Sequence, residues 1–173
     1  KNPFHGSLEL NNIHNANTVP LRLNGSLSYS NLWQLGHTIG TSFQVAPEKQ
    51  SDGTVLSAYY MMPLENEWSV MVNGSWQDSN ISTLGGGTVV GKGQVYGVRF
   101  MKTLPAEKGW FHSLSAGMDY KDFIQDVNAG GAVIASPIVY YPFTLSYSLS
   151  RVEEHSFTEF NTSVVLHLRG MGG

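Results

Sequence analysis

The sequence predicts an all-β protein, an antiparallel transmembrane β-barrel of which about nine strands are present. Three observations lead to this prediction. Apolar and small polar residues alternate along most of the chain, the connections between the alternating segments are short and long in turn, and three of the four tryptophans stand at or beside a short connection. Helical periodicity is nearly absent.

Strict alternation gives five segments one apolar and one polar face, because successive side chains of a strand point to opposite sides. In the segment that starts at Leu21, the apolar residues Leu23, Leu27 and Tyr29 oppose polar residues such as Ser26. The other four alternating segments start at Trp68, His112, Phe143 and Phe160. Four further strands are predicted from weaker patterns, at Ser7–Asn11, His37–Val45, Thr54–Met62 and Gln94–Lys102.

The connections between these strands fall into two length classes. The short ones are Asn31–Gly36, Pro63–Glu67, Leu104–Gly109 and Arg151–His155. The longer ones are Asn12–Asn17, Ala46–Gly53, Asp78–Gly93 and Phe123–Ser136. Outer-membrane barrels have short periplasmic turns and longer extracellular loops. If the first strand runs outward, every short connection lies on the periplasmic side.

Tryptophan placement agrees with this orientation. Trp33, Trp68 and Trp110 each lie at or beside a short connection, where a girdle of interface aromatics is expected. The alternative is that these residues are core tryptophans of a soluble β-sandwich.

Composition excludes several other classes of protein. Charged residues make up 13% of the chain and the formal net charge is -3, with no basic stripe, so we expect no nucleic-acid partner. Cysteine is absent, which excludes disulfides, thiol catalysis and cysteine metal sites. No apolar run approaches the ~20 residues of a membrane-spanning helix.

The candidate functional residues are charges that fall on the polar face of strands. They predict a hydrophilic pore lining and are Glu9, Arg22, Arg99, Asp119, Lys121 and Arg169. The alternative is that any water-filled barrel needs polar residues there. The six histidines have no metal-ligand spacing, and no nucleophile elbow or phosphate-binding loop is present. We therefore expect no enzymatic activity, no metal and no cofactor.

Three segments resemble one protein family. Leu21–Glu48, LRLNGSLSYSNLWQLGHTIGTSFQVAPE, resembles the opening barrel strands of haemolysin secretion/activation proteins, the transporters of two-partner secretion. Gly86–Phe100 and Phe111–Phe123 are similar to later stretches of that family, in the same order. The resemblance extends over roughly Leu8 to Leu168. The same superfamily also holds the barrel-assembly insertase.

The resemblance implies a barrel that would complete to about sixteen strands, an even number as in bacterial barrels. Residues 1–173 would be its N-terminal part, without the family's plug helix and POTRA modules, so we expect the remainder of the barrel elsewhere in a longer chain. The implied function is passive export of a partner exoprotein, a haemolysin or adhesin, across the bacterial outer membrane. The expected partners are the exoprotein and the lipid bilayer.

A second function remains open. The chain could be a self-contained barrel of about 8–10 strands that serves as a porin, adhesin or structural protein. A continuous ladder between Ser7–Asn11 and Asn161–Arg169 would favour it. An outer-membrane enzyme is a third and weaker alternative.

Overall fold

The computed structural model describes residues 2–12, 19–79, 91–107, 109–129, 132–153 and 156–167. In this part of the chain the backbone forms one antiparallel sheet of ten strands. The strands are β1 Phe4–Asn11, β2 Arg22–Leu32, β3 His37–Val45, β4 Thr54–Pro63, β5 Trp68–Ser79, β6 Gly91–Glu107, β7 Trp110–Ala129, β8 Ala132–Tyr140, β9 Pro142–Val152 and β10 Phe157–His167. A 3-10 turn, Gln50–Asp52, stands between β3 and β4.

The order of the strands in the sheet follows the order in the sequence, with one exception. The path runs from β1 to β7 and then to β9 and β10, while β8 pairs with the second half of β7. Met118 pairs with Phe143 of β9, and three residues further on Lys121 pairs with Tyr140 of β8. β8 and β9 therefore follow one continuous register along the same edge of β7, interrupted only around Tyr141.

This arrangement refines one prediction and corrects another. The described residues form ten strands, where about nine were predicted. The segment Phe123–Ser136, predicted as a long loop, belongs instead to the paired strands β7 and β8, with only residues 130–131 of the connection outside the described part. Backbone pairing with a following segment satisfies the donors and acceptors that a loop would leave to water, and this pairing extends β7 to twenty residues.

The other connections agree with the two predicted length classes where they are described. Residues 33–36 and 64–67 are short turns, and Gly109 belongs to a third. Residues 46–53 form a longer connection. Most of Asn12–Asn17 and residues 80–90 lie outside the described residues, as do 168–173.

The first short turn shows how local sequence sets such a connection. The side-chain oxygen of Asn31 accepts a hydrogen bond from the Gly36 amide at 2.9 Å, and the Asn31 carbonyl oxygen accepts one from Gln34 at 3.1 Å. Gly36 has a φ of 73°, which glycine adopts without a steric penalty. Asn31 closes the turn with its side chain and backbone together.

The sheet is open in the described residues. β1 forms one edge and β10 the other, and no ladder joins them. The ladder between the first and last strands that would favour a self-contained barrel is therefore absent from this part of the chain.

Side-chain exposure is the reverse of that in a soluble sheet. The apolar face carries residues such as Leu8, Leu27, Phe43, Leu56, Val72, Val98, Met118, Leu145 and Val164. The polar face carries residues such as Ser7, Ser26, Ser42, Ser57, Ser75, Arg99, Asp119 and Ser146. Val72 is 47% exposed and Met118 43%, whereas only Ala46 and Phe123 are buried among the described hydrophobic residues. A hydrophobic core does not form on either face of the described sheet.

Candidate functional site

The polar face is built around a row of serines on neighbouring strands. Ser7, Ser26, Ser42, Ser57 and Ser75 are direct register partners across β1 to β5. The hydroxyls of Ser7 and Ser26 are 2.7 Å apart, and those of Ser42 and Ser57 are 2.6 Å apart. Directly opposite residues in an antiparallel pair lie on the same face, so register alone aligns the five hydroxyls.

The rest of the polar face in the middle strands is uncharged. β3 contributes Gln44 and Thr38, β4 contributes Tyr59, and β5 contributes Asn73 and Gln77. In the described residues of these three strands, no Asp, Glu, Lys, Arg or His stands on this face. His37, at the start of β3, lies on the apolar face, where its ring contacts Tyr60. Val55, Met61 and Met71 also stand on this face. Its polar side chains offer hydroxyl and amide groups, which both donate and accept hydrogen bonds.

Three predicted pore-lining charges come together on β6 and β7. Arg99 Nη2 lies 3.9 Å from Asp119 Oδ1. Lys121, on the same face of β7, has its ammonium 5.8 Å from the centre of the Tyr140 ring. Gly97, the register partner of Asp119, leaves room for this carboxylate, because a Cβ there would lie 2.4 Å from Asp119 Oδ1.

The other two described candidates lie at the far edge of the sheet, on β1 and β2. Arg22 is the register partner of Asn11, and the Asn11 amide donates to Glu9 Oε1 at 2.7 Å. Arg22 is nearly buried, and its Nη1 donates to the carbonyl oxygens of Val19 at 2.6 Å and Leu21 at 3.0 Å. Arg169 lies outside the described residues. The candidate charges thus form two groups, separated by the uncharged strands.

A buried carboxylate that the sequence pattern did not single out, Asp52, contacts the backbone of Val19, as Arg22 does. Asp52 Oδ2 accepts a hydrogen bond from the Val19 amide at 3.2 Å, and its Oδ1 lies 2.8 Å from the ammonium of Lys49. Asp52 is 2% exposed and Gln77, on the polar face of β5, is 1% exposed. The segment 46–53 therefore covers this end of the polar face instead of extending away from it. Nothing in the local pattern around Asp52 signals this burial.

The three predicted interface tryptophans lie at the end of the sheet that carries the short turns. Trp33 packs edge-on against His37 and Tyr60, with ring centroids 6.0 and 6.5 Å away. Trp68 has the Lys102 ammonium 5.4 Å from its ring centre, and Trp110 has the Arg151 guanidinium 5.3 Å from its own. Aromatic rings beside long cationic side chains are typical of the headgroup region of a membrane.

A second aromatic group, missed in the sequence, lies towards the opposite end of the apolar face. Tyr120 stacks on Tyr96 at 6.3 Å and contacts Tyr141 at 5.4 Å, both measured between ring centroids. Trp76 stands on the same face, two residues along β5 from the partner of Tyr96. Trp76 stands an even number of residues from Trp68 and Val72 in the sequence. This alternation was the signal that could have assigned Trp76 to a second group of aromatic residues on the apolar face.

The described residues contain no cluster of three or more His, Asp or Glu side chains that could hold a metal ion. In the same residues no helix is long and apolar enough to cross a membrane.

Comparison with known proteins gives a fold but no family. No protein-family model matches the sequence, and no curated protein matches it. Among solved structures, the chain is similar to BamA from Haemophilus ducreyi lacking POTRA domains 1–3, with a TM-score of 0.58 and 15% sequence identity. The match covers 98% of this chain and 35% of that one. The chain therefore has the fold of part of a BamA-type β-barrel and spans about a third of the chain that it matches.

Proposed function

We propose that this chain forms part of the pore wall of a bacterial outer-membrane transporter of the two-partner-secretion type, which exports a partner exoprotein as an extended polypeptide. The proposal assigns the chain no catalytic role and no cofactor. It combines the likeness to a BamA-type barrel with the resemblance of Leu21–Glu48 to the opening strands of that transporter family.

The observation that carries the proposal is the uncharged polar face of β3, β4 and β5, crossed by the row of serines. A polypeptide in transit presents backbone amides and side chains of both charge signs. The hydroxyl and amide groups of this wall can exchange hydrogen bonds with that backbone and with water, and an uncharged wall does not retain segments of either charge. A densely charged wall would bind oppositely charged segments and slow their passage.

The exposed apolar face supports a position in a membrane. Exposed side chains such as Val72, Val98 and Met118 would bring a large apolar surface into contact with water in a soluble protein. Facing hydrocarbon, they carry no such penalty, and the backbone groups are satisfied by the ladders between strands. Aromatic groups at both ends of this face match the two girdles of an outer-membrane barrel.

The alternative of a self-contained small barrel requires β1 and β10 to pair. The described residues contain no such ladder, and open sheet edges in hydrocarbon leave backbone groups unsatisfied. The proposal therefore includes further strands that cover these edges, as part of the same barrel.

Cysteine accessibility and cross-linking test the proposal in the natural full-length protein. Ser42→Cys places a thiol on the polar face, and Thr41→Cys places one on the apolar face of the same strand. In planar bilayers a water-soluble thiol reagent should reduce the conductance of the Ser42→Cys protein and leave the Thr41→Cys protein unchanged.

The export step needs its own measurement. Deletion of the gene should remove one polypeptide from the culture medium. That polypeptide, stalled by a folded domain fused to its end, should cross-link to the introduced thiol of the Ser42→Cys protein and not to that of the Thr41→Cys protein. If the deletion does not change the polypeptides in the medium, export is contradicted. The assignment of the polar face to a pore wall is then decided by the conductance measurement alone.

A further inference from the structure

The apolar face contains a hollow near the short-turn end of the sheet. Its cavity volume is about 650 Å³, and side chains of β5, β6, β7, β9 and β10 line it. The floor is Ala116, which has Phe100 as its register partner on one side and Leu145 on the other. Because alanine is much smaller than these neighbours, the surface is depressed at this point.

The wall of the hollow is almost entirely apolar, and a cationic side chain, Lys102, stands at one end of it. Towards the middle of the sheet lie Phe100, Leu145 and Val164. One row closer to the short turns lie Trp68, Lys102, Leu114 and Tyr147, and these also line the hollow. The aromatic and cationic groups of the hollow at this end therefore all stand in the row nearer the short turns.

Lys102 supplies the positive charge at this end of the hollow. Its ammonium lies over the Trp68 ring and donates to the carbonyl oxygen of Asn66, and an ammonium has three donors in all. The Tyr147 hydroxyl, two strands away from Lys102, is 2.7 Å from His112 Nδ1. In the described structure Lys102 has no carboxylate partner among the salt bridges, whereas Lys92, at the other end of the same face, pairs with Asp78 at 3.2 Å.

We propose that this hollow binds one phospholipid of the bilayer, with an acyl chain over Ala116 and an anionic headgroup phosphate on Lys102. The inference rests on the proposed membrane position of the apolar face. Charge complementarity selects the occupant: a hydrocarbon chain alone would not use Lys102, and a soluble anion would not use the apolar half of the site. The indole of Trp68 lies under the Lys102 ammonium, in the position that interface aromatics take beside charged groups.

The test uses the full-length protein in phosphatidylcholine vesicles doped with phosphatidylglycerol that carries a photoreactive acyl chain. Labelled peptides are mapped after illumination. Ala116→Trp fills the floor of the hollow, and Ala58→Trp is its matched control, an equal enlargement on the apolar face of β4. Labelling of the β7 and β9 peptides should fall about tenfold in Ala116→Trp and remain unchanged in Ala58→Trp. Thr162→Trp, on the β10 wall, gives a second way to fill the hollow if Ala116→Trp does not fold.

The headgroup contact is tested separately. Lys102→Gln should reduce the preference for phosphatidylglycerol over phosphatidylcholine about tenfold, whereas Lys92→Gln should not change it. Inorganic phosphate in excess should not displace the label, since it lacks the acyl chain.

The outcomes separate this inference from the proposed function. Uniform labelling of the whole apolar face, insensitive to Ala116→Trp and Thr162→Trp, would overturn the bound lipid and leave the membrane position intact. Cross-links between two copies through the hollow would overturn it in favour of a dimer contact. Equal labelling of the apolar and polar faces would overturn both the bound lipid and the membrane position on which the proposed function depends.

Discussion

The ring of Phe123 on β7 covers Gly93 on β6, its direct register partner. A Cβ at Gly93 would lie 2.2 Å from Phe123 Cδ1 and 2.8 Å from the carbonyl oxygen of Asp122. Phe123 is 7% exposed, although it stands on the polar face. The absence of a side chain at Gly93 lets an aromatic ring lie against the backbone of the neighbouring strand.

Gly93→Ala should therefore destabilise the protein by about 1–3 kcal/mol, the usual cost of overpacking. The clash involves a backbone carbonyl as well as the ring, so a rotation of Phe123 cannot relieve all of it. Folding titrations in lipid give the free energy of unfolding. Gly6→Ala is the control, because its nearest atom is the flexible end of the exposed Leu27 side chain, at 3.0 Å. Equal effects at both glycines would show that the contact with Phe123 is unimportant.

Arginine on the apolar face should be much less tolerated than arginine on the polar face. Val72→Arg and Leu27→Arg place a charge among lipid-facing side chains and should each cost ~2–4 kcal/mol near the bilayer midplane. Ser28→Arg, on the polar face next to Leu27, should cost little. The same folding titrations measure all three variants, and equal penalties on the two faces would contradict the assignment of the apolar face to lipid.

Removal of the Asp119 charge should change ion selectivity more than stability. The distance of 3.9 Å to Arg99 and the partial exposure of both side chains limit their ion pair to less than about 1 kcal/mol. Asp119→Asn leaves Arg99 and Lys121 on the wall, so the reversal potential of the full-length pore in a salt gradient should shift towards anions. Asp78→Asn removes a carboxylate from the opposite face and should leave the reversal potential unchanged. A shift of the same size in both variants would place Asp119 outside the conducting path.

Asp52 should hold the segment 46–53 against the sheet. Asp52→Ala removes the acceptor of the Val19 amide and the partner of Lys49, and leaving a buried donor without an acceptor costs about 1–3 kcal/mol. Trypsin should then cut after Lys49 faster than in the unchanged protein.

Asp78→Ala is the matched control for this experiment. It also loses an ion pair, to Lys92, but its side chain is 28% exposed, so the cost should remain below about 1 kcal/mol and cleavage at Lys49 should not change. Unchanged cleavage in Asp52→Ala would show that other contacts hold the segment.

The faces of the strands could be predicted from the sequence, because parity is a local property. The candidates Glu9, Arg22, Arg99, Asp119 and Lys121 stand on the polar face as their positions in the alternation indicated. The grouping of Arg99 with Asp119, and their separation from Glu9 and Arg22, could not be predicted. It depends on which strands are neighbours and on their register, and both are long-range properties.

The loop predicted at Phe123–Ser136 was wrong for a related reason. Its polar residues and glycines have weak strand propensity, which favours a loop when the segment is considered alone. The pairing of Lys121 with Tyr140 and of Ala129 with Ala132 outweighs that preference, because each ladder step satisfies backbone groups. The sequence does contain a hairpin signal, since Gly130-Gly131 is one of the dipeptides that join two strands directly.

The sequence by itself determined that this is an antiparallel β-protein with one apolar and one polar face, since alternation with a period of two follows from strand geometry. Tertiary structure alone decided three further features. Register aligned Ser7, Ser26, Ser42, Ser57 and Ser75 in one row, strand order placed Ala116 between Phe100 and Leu145, and a fold of the chain over the sheet buried Asp52. Each joins residues far apart in sequence, and hydrogen bonds between strands fix such contacts where local propensity cannot.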